Sequence, residues 1–257
     1  MQWRTLFHKE VLENWRNKKW IWVPLVMILF SIMDPLSYYF LPEIMESVGD
    51  VPEGMVFEMP SIEPIPALMM SLESLSTYGA IIITLVSMGT IAGERQQGIT
   101  EMIFAKPIKF SNYITAKWVS YTLLSILSLV ISLCMSWYYI NLLFGSISFY
   151  SFILAISFYS LWFIFIVTLS IFYNTICKNA GLVLACTIGT LFILSGINTI
   201  VGHKFTWFPN QLSTHIEAIL MTTDISIDIV ETAGVIIILI ALLLFVSIQI
   251  CQRREMI

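Results

Sequence analysis

Residues 150–200 read YSFILAISFYSLWFIFIVTLSIFYNTICKNAGLVLACTIGTLFILSGINTI: two long apolar runs, 150–175 and 180–200, parted only around Asn174 to Asn179, with Lys178 the one charge. A helix that crosses a bilayer needs roughly 17–25 apolar residues, and each run meets that length. Strands are excluded because the runs are too long, do not alternate, and would leave backbone groups unpaired in lipid. The short break suffices for a tight turn at the membrane interface. Working outward, further runs lie at about 20–40, 67–92 and 116–140 before this stretch and at 233–251 after it. The expectation is an all-α integral membrane protein with six transmembrane helices.

Composition agrees. Of 257 residues, 58% are hydrophobic and 12% charged, against about 25% charged in a soluble domain. A water-soluble fold of this size cannot hide that much apolar side chain. The net charge of -4 says little as a total, but the distribution of charge is informative. With the N-terminus inside the cell, Lys204 alone of the 13 basic residues falls outside, as the positive-inside rule requires. Five spans would put Arg253 and Arg254 outside. Both termini are therefore expected in the cytoplasm. Cys134, Cys177, Cys186 and Cys251 all lie in or beside apolar runs without metal-site spacing, so neither a disulfide nor a metal cluster is expected. The basic first 19 residues and the run behind them mimic a signal peptide. No small-residue cleavage site closes that run, which continues through Asp34-Pro35 to Phe40, so it is taken as an uncleaved first span.

The connections differ in character. Residues 41–66 hold Glu43, Glu46, Asp50, Glu53, Glu58 and Glu63 with five prolines and no Lys or Arg, an irregular acidic outer loop. Residues 201–232 form a second outer segment, in which Gln211 to Thr222 predicts a short helix in or on the outer leaflet. In residues 1–19, Trp3, Phe7, Val11 and Trp15 recur at four-residue spacing, which predicts a helix lying in the cytoplasmic interface; a plain basic anchor for the first span is the simpler alternative. The loop 93–115 is longer than a turn needs. Ile99, Met102 and Ile103 fall at helical spacing, Glu94, Arg95, Gln96, Gln97 and Glu101 supply a polar face, and Pro107 ends the segment. This is a short amphipathic helix at the membrane surface, which either rests on lipid or docks a cytoplasmic partner.

The run GERQQGITEMIFAKPIKFSNYITAK in that loop resembles the signature of type-2 ATP-binding-cassette (ABC) permeases, G-E-R-E-x-G-T-[LM]-E-x-L-x-x-[ST]-P followed by a basic residue and G-K. Gly93, Glu94, Arg95, Gly98, Glu101 and Pro107 match in order and spacing. Ile99-Thr100 stands in place of a Thr and an apolar residue, Ala105-Lys106 in place of a small polar pair, and Ala116-Lys117 in place of Gly-Lys. The layout of the whole chain is similar to that family, with an N-terminal interfacial helix, six spans, a coupling helix between the second and third, and an outer re-entrant element before the last. The resemblance implies an export permease in a bacterial plasma membrane, paired with a second permease subunit and two copies of a cytoplasmic ABC ATPase. The six matching residues would then carry partner coupling. No G-x-x-x-x-G-K-[ST] loop occurs in the chain, so ATP and Mg are expected in the partner and no cofactor here. Nothing points to nucleic acid. An amphipathic drug or antimicrobial peptide is the cargo that the resemblance favours.

Other candidates carry bland and sharp readings side by side. Asp34 in the first span and Glu73 in the second are candidate pathway residues, since an intramembrane carboxylate costs about 2.5–3.5 kcal/mol at mid-depth. Both lie toward the outer ends of their spans, where water reaches. Gly181, Ala185 and Gly189 make a small-residue stripe suited to helix packing, and Ser128, Ser132 and Ser136 share a face suited to interhelical hydrogen bonds. His203, His215 and Glu217 lack tight metal-ligand spacing. A sensor or scaffold that docks a cytoplasmic protein through the same loop is the alternative function; a membrane enzyme ranks last, for want of a nucleophile–base pair or an H-E-x-x-H motif.

Overall fold

A computed structural model describes residues 2–48, 62–105, 108–202, 204–222 and 224–255. They are helical almost throughout, without strands among the described residues. Helix α1 (Gln2–Arg16) lies ahead of α2 (Lys19–Val48), the first span. The second span is assembled from α3 (Pro64–Ser74), a π-helical turn (Leu75–Gly79) and α4 (Ala80–Ser87). Two short helices follow, α5 (Ala92–Gln96) and α6 (Ile99–Phe104). Then come α7 (Phe110–Leu143), α8 (Phe149–Ile176), α9 (Ala180–Val201), α10 (Leu212–Thr222) and α11 (Ile227–Glu255). Six of the helical segments are long and apolar enough to cross a membrane, as the apolar runs predict, and the protein is a multi-pass membrane protein.

Element bounds differ from the hydropathy reading in understandable ways. The third span begins at Phe110 rather than near 116: its first turns carry Tyr113, buried against Glu94, in a stretch that a hydropathy window scores as loop. Helix α2 runs to Val48, through Pro24, Pro35 and Pro42; neighbouring helices in a bundle tolerate such prolines. The middle of the acidic loop, with Asp50, Glu53 and Glu58, lies outside the described residues, as do Lys106, Pro107 and His203.

Antiparallel alternation gives the bundle two ends. One, the terminal face, carries α1, α5, α6 and the end of α11. The other, the distal face, carries α10 and the starts of α3, α8 and α11. Helix α8 is the axle, against which α4, α7, α9, α10 and α11 all pack, while α7 takes α1, α2 and α3 on its other side. Leu72, Leu75, Leu124, Leu129, Phe163, Ile166 and Val167 are buried where these helices meet. Lipid is as apolar as these side chains, so close packing and interhelical hydrogen bonds hold the helices together. Small hydroxyls supply many of those bonds. Ser71 and Ser136 share a hydrogen bond of 2.7 Å, Ser31 donates to the Ser132 carbonyl at 3.0 Å, Ser87 pairs with Ser170 at 2.7 Å, and the Trp118 indole donates to Thr168 at 2.8 Å. On the serine face of the third span, Ser136 bonds across to another helix through its hydroxyl and Ser132 through its carbonyl, while the Ser128 hydroxyl donates to Leu124 of its own helix.

Helix α10 lies against α8 and α3 with Leu212, Ile216, Ile219 and Leu220 buried, a tucked element rather than a surface strap. Helices approach closely at Gly79, where a Cβ would stand 2.9 Å from Cζ of the buried Phe163 and 3.6 Å from Met27. Gly79→Leu is expected to cost about 1–3 kcal/mol by overpacking, seen as a lowered thermal midpoint in detergent. Gly181→Leu, where a Cβ meets nothing within 4 Å, should leave the midpoint near wild type.

Candidate functional site

The segment from Met88 to Ala105 leaves the second span by a turn and re-forms helix twice. The turn is held by a single side chain. Asn174, fully buried near the end of α8, accepts hydrogen bonds from the backbone N–H groups of Ile91 and Ala92, each at 3.1 Å. Its amide donates to the carbonyls of Ser87 at 3.0 Å and Ser170 at 2.9 Å. One amide thereby satisfies backbone groups that the broken helix leaves open. Gly98 then turns the chain between α5 and α6 with φ of +70°, a left-handed conformation that a Cβ disfavours by roughly 1–2 kcal/mol. This accounts for a glycine at that place in the motif.

Glu94 sits in α5 and faces inward. It is 7% exposed, as against 3% for Glu10 of α1 and 1% for Lys117 of α7. The Lys117 ammonium lies between the two carboxylates, 2.8 Å from Glu10 and 3.0 Å from Glu94. Lys9 closes the group from the rim, 2.5 Å from Glu94, 3.2 Å from Glu10 and 3.6 Å from Glu13. Tyr113 donates its hydroxyl hydrogen to Glu94 at 2.6 Å, and its ring lies 5.0 Å from the Lys117 ammonium. Two buried carboxylates thus meet two ammoniums, and the charges balance. Burial alone would lower the pKa of Lys9, but Glu10 and Glu94 more than offset this and hold it above the ordinary lysine value. The carboxylates of Glu10, Glu13 and Glu94 approach within 4.8 Å of one another, near enough to share a metal ion, yet the lysine ammoniums already supply the positive charge between them.

Helix α1 is consequently amphipathic in an unexpected sense. Its buried residues are Glu10 and Asn14, and Asn14 donates to Ser120 at 3.2 Å. Trp3 stacks on Phe7, with ring centroids 5.2 Å apart, and donates to Thr115 at 3.1 Å. The aromatic stripe drifts off this face, so that Trp15 is exposed. Beyond Gly98, α6 buries Thr100, leans Ile103 on the core, and leaves Glu101 and Met102 outside. Arg95 is half-buried, and Gln96 donates to Asn179 at 2.8 Å, tying α5 to the α8–α9 turn.

Over residues 4–255 the sequence matches the family described as ABC-2 family transporter protein. The chain belongs to the ABC-2 transporter family. It is also 33% identical over 219 residues, or 84% of each chain, to YxlG of Bacillus subtilis (strain 168), described as an uncharacterized transmembrane protein.

In this ABC-2 protein the six motif residues divide by position. Gly98 turns the segment, Gly93 lies within α5 where a Cβ would meet nothing within 4 Å, Glu94 is built into the charged junction, Arg95 is half-buried and Glu101 faces outward. Pro107 lies outside the described residues. Glu94 pairs within the chain, with Lys9, Lys117 and Tyr113. The membrane carboxylates lie far from this junction. Asp34 accepts a hydrogen bond from Ser74, and Asp34 and Glu73 line one surface hollow with Tyr38 and Met70. The small-residue stripe of α9 turns away from the rest of the chain. His215 shares a hydrogen bond of 2.9 Å with the Thr206 carbonyl.

Motif reading passed over Glu10, Asn14, Tyr113 and Asn174, and took Lys117 only as part of Ala116-Lys117 without a role in pairing. Glu10 and Asn14 carried a signal, being four apart on one helical face with Leu6 before them; Lys117 carried one as a charge beside an apolar run. Asn174 carried none. Removing one partner of a buried ion pair typically costs about 3–5 kcal/mol, so Lys117→Met should lose about that much in a denaturant titration of the purified protein. Adding Glu10→Gln and Glu94→Gln to the same chain should restore most of the loss.

Proposed function

We propose that this chain is the membrane-spanning subunit of an ATP-driven exporter and that the segment 93–107 couples it to a separate ABC ATPase. Membership of the ABC-2 family implies an ABC ATPase partner, and this chain has no phosphate-binding loop of its own. The observation that carries the coupling role is the two-sided build of α5–α6. Inward, Glu94 is joined to α1 and α7 and the turn before it to α8; outward, Met102 is 77% exposed beside Glu101. A large apolar side chain beside a charge on an exposed helix suits a protein groove. Force applied at Met102 passes through a short, hydrogen-bonded path into α1 and the second, third and fourth spans.

A lever of this kind shifts a two-state assembly only if the ATPase binds its two arrangements with different affinity. The charged junction makes the terminal face move as one body, so a displacement at α6 is not dissipated in a loose loop. A second permease subunit fits the same reading. Helix α9 is little covered within the chain, with the stripe Gly181, Ala185 and Gly189 outward, and such stripes let helices approach closely. In this reading the terminal face is cytoplasmic, the membrane is a bacterial plasma membrane and the cargo is an amphipathic drug or peptide.

Affinity purification of the native protein in mild detergent, with mass spectrometry of what accompanies it, is expected to recover a stoichiometric protein with a Walker phosphate loop. Met102→Arg should cut that recovery about tenfold, the scale expected when an apolar anchor gives way to a charge that must be desolvated on docking, while the permease stays in the membrane at wild-type level. Reproducible absence of an ATPase from the wild-type preparation would favour the scaffold reading. For the orientation, a cysteine placed at Glu53 is expected to react with an impermeant maleimide on intact cells; its protection until lysis would reverse the assignment of the two faces.

A further inference from the structure

At the distal face, remote from the charged junction, a cavity of about 210 Å³ opens between the second span, α8, α9 and the approach to α10. Ser76, Tyr159, Ser195, Asn198, Asn210 and Ser213 are among its lining residues, and no charged side chain lines it. An apolar recess of about 120 Å³ adjoins it, walled by Ile81, Ile188, Leu191 and Phe192. The two share Ser76, Trp162, Ser195 and Asn210, so a polar compartment and an apolar one are continuous.

Three features mark this as more than a packing gap. First, the second span makes its π-helical turn here, Leu75–Gly79; such turns widen a helix and recur at functional sites. Within the turn, Ser76 lines both compartments and Thr77 the apolar recess. Second, Trp162 is 7% exposed and its indole N–H has no hydrogen-bond partner. Third, Oδ1 of Asn198 and Oδ1 of Asn210 are buried without a partner as well. Each such group costs about 1–3 kcal/mol when left unmade, and three of them around one cavity are a concentrated unmet demand. By contrast Tyr159 is committed, since its hydroxyl donates to the Leu72 carbonyl at 2.5 Å.

The unmet groups are one donor and two amide side chains, all uncharged. An ion would enter without a counter-charge, at heavy desolvation cost. We propose that this cavity binds the uncharged, hydrogen-bonding headgroup of an amphipathic molecule, a hydroxyl- or amide-bearing head in the polar compartment with its apolar part along Ile188 and Phe192. The site deepens the export reading, on which its meaning as a cargo site rests; the binding chemistry itself does not depend on an ATPase.

The test uses the full chain in phosphatidylcholine nanodiscs and an octyl β-glucoside carrying a diazirine in its alkyl chain, with labelled peptides mapped by mass spectrometry. Labelling is expected to concentrate on Ile188–Ser195 and Pro209–Ser213. Excess octyl glucoside should remove it, and octyltrimethylammonium at the same concentration should leave it. Trp162→Phe combined with Asn210→Leu should lower labelling about tenfold, the loss of two hydrogen-bonding groups. Labelling spread evenly over lipid-facing spans, or equal competition by the cation, overturns the proposal, and both are read on the wild-type chain, whatever the variant's stability. Competition by methyl glucoside identifies a water-soluble source for the headgroup; competition by monoglucosyl diacylglycerol but not by methyl glucoside identifies a membrane lipid. Either supports the headgroup chemistry. Failure here leaves ATPase recovery unaffected, and failure to recover an ATPase leaves the labelling pattern unaffected, so the two readings fall separately.

Discussion

The Lys117 ammonium, almost wholly shut away from solvent between Glu10 and Glu94, is the constraint on which the terminal face depends. A buried charge is tolerable only with a partner of opposite sign and hydrogen bonds for its remaining donors and acceptors. Here the partners come from two other helices, so the demands of one side chain of α7 fix its position against α1 and α5. Such a junction is weak as a source of net stability, because desolvation offsets most of the attraction. It is strong as a specifier, since any other arrangement of the three helices strands a charge.

Asn174 does for the backbone what Lys117 does for charge. The second span must stop being a membrane helix before α5 begins, and the break exposes amide groups that lipid cannot solvate. One side chain from the far helix meets them. The segment that carries α5 is therefore held twice, by ionic contacts to α1 and α7 and by hydrogen bonds to α8, which leaves its outer edge exposed.

How much of this was legible in the sequence follows from the physics of each signal. Six spans were legible because lipid imposes a length and a hydropathy that hardly anything else mimics, and the short break at Asn174 to Asn179 set two of them apart. The helix Gln211 to Thr222 was legible from its apolar spacing and its place before the last span. The charged junction was not, because pairing between residues 10, 94 and 117 is a long-range fact with no periodicity. Glu94 was singled out through its motif, and its burial came as information from the fold alone. On α1 the aromatic stripe was correctly noticed, but hydrophobicity misdirects where a helix docks by its polar side: Glu10 and Asn14, not Trp15, mark the docked face. The distal cavity had no sequence signal at all, since serines, asparagines and a tryptophan in scattered positions converge only in three dimensions.

The order in which the junction's members occur along the chain has a consequence for synthesis. Glu10, Glu94, Tyr113 and Lys117 all lie within the first half of the sequence, and the third span, α7, is the last element they need. The ionic junction thus has its full complement of partners as soon as three spans have left the ribosome, while Asn174 arrives only with the fourth. Until α7 follows, Glu10 has only Lys9 of its own helix as a partner; with α7 comes the buried ammonium that joins it to Glu94.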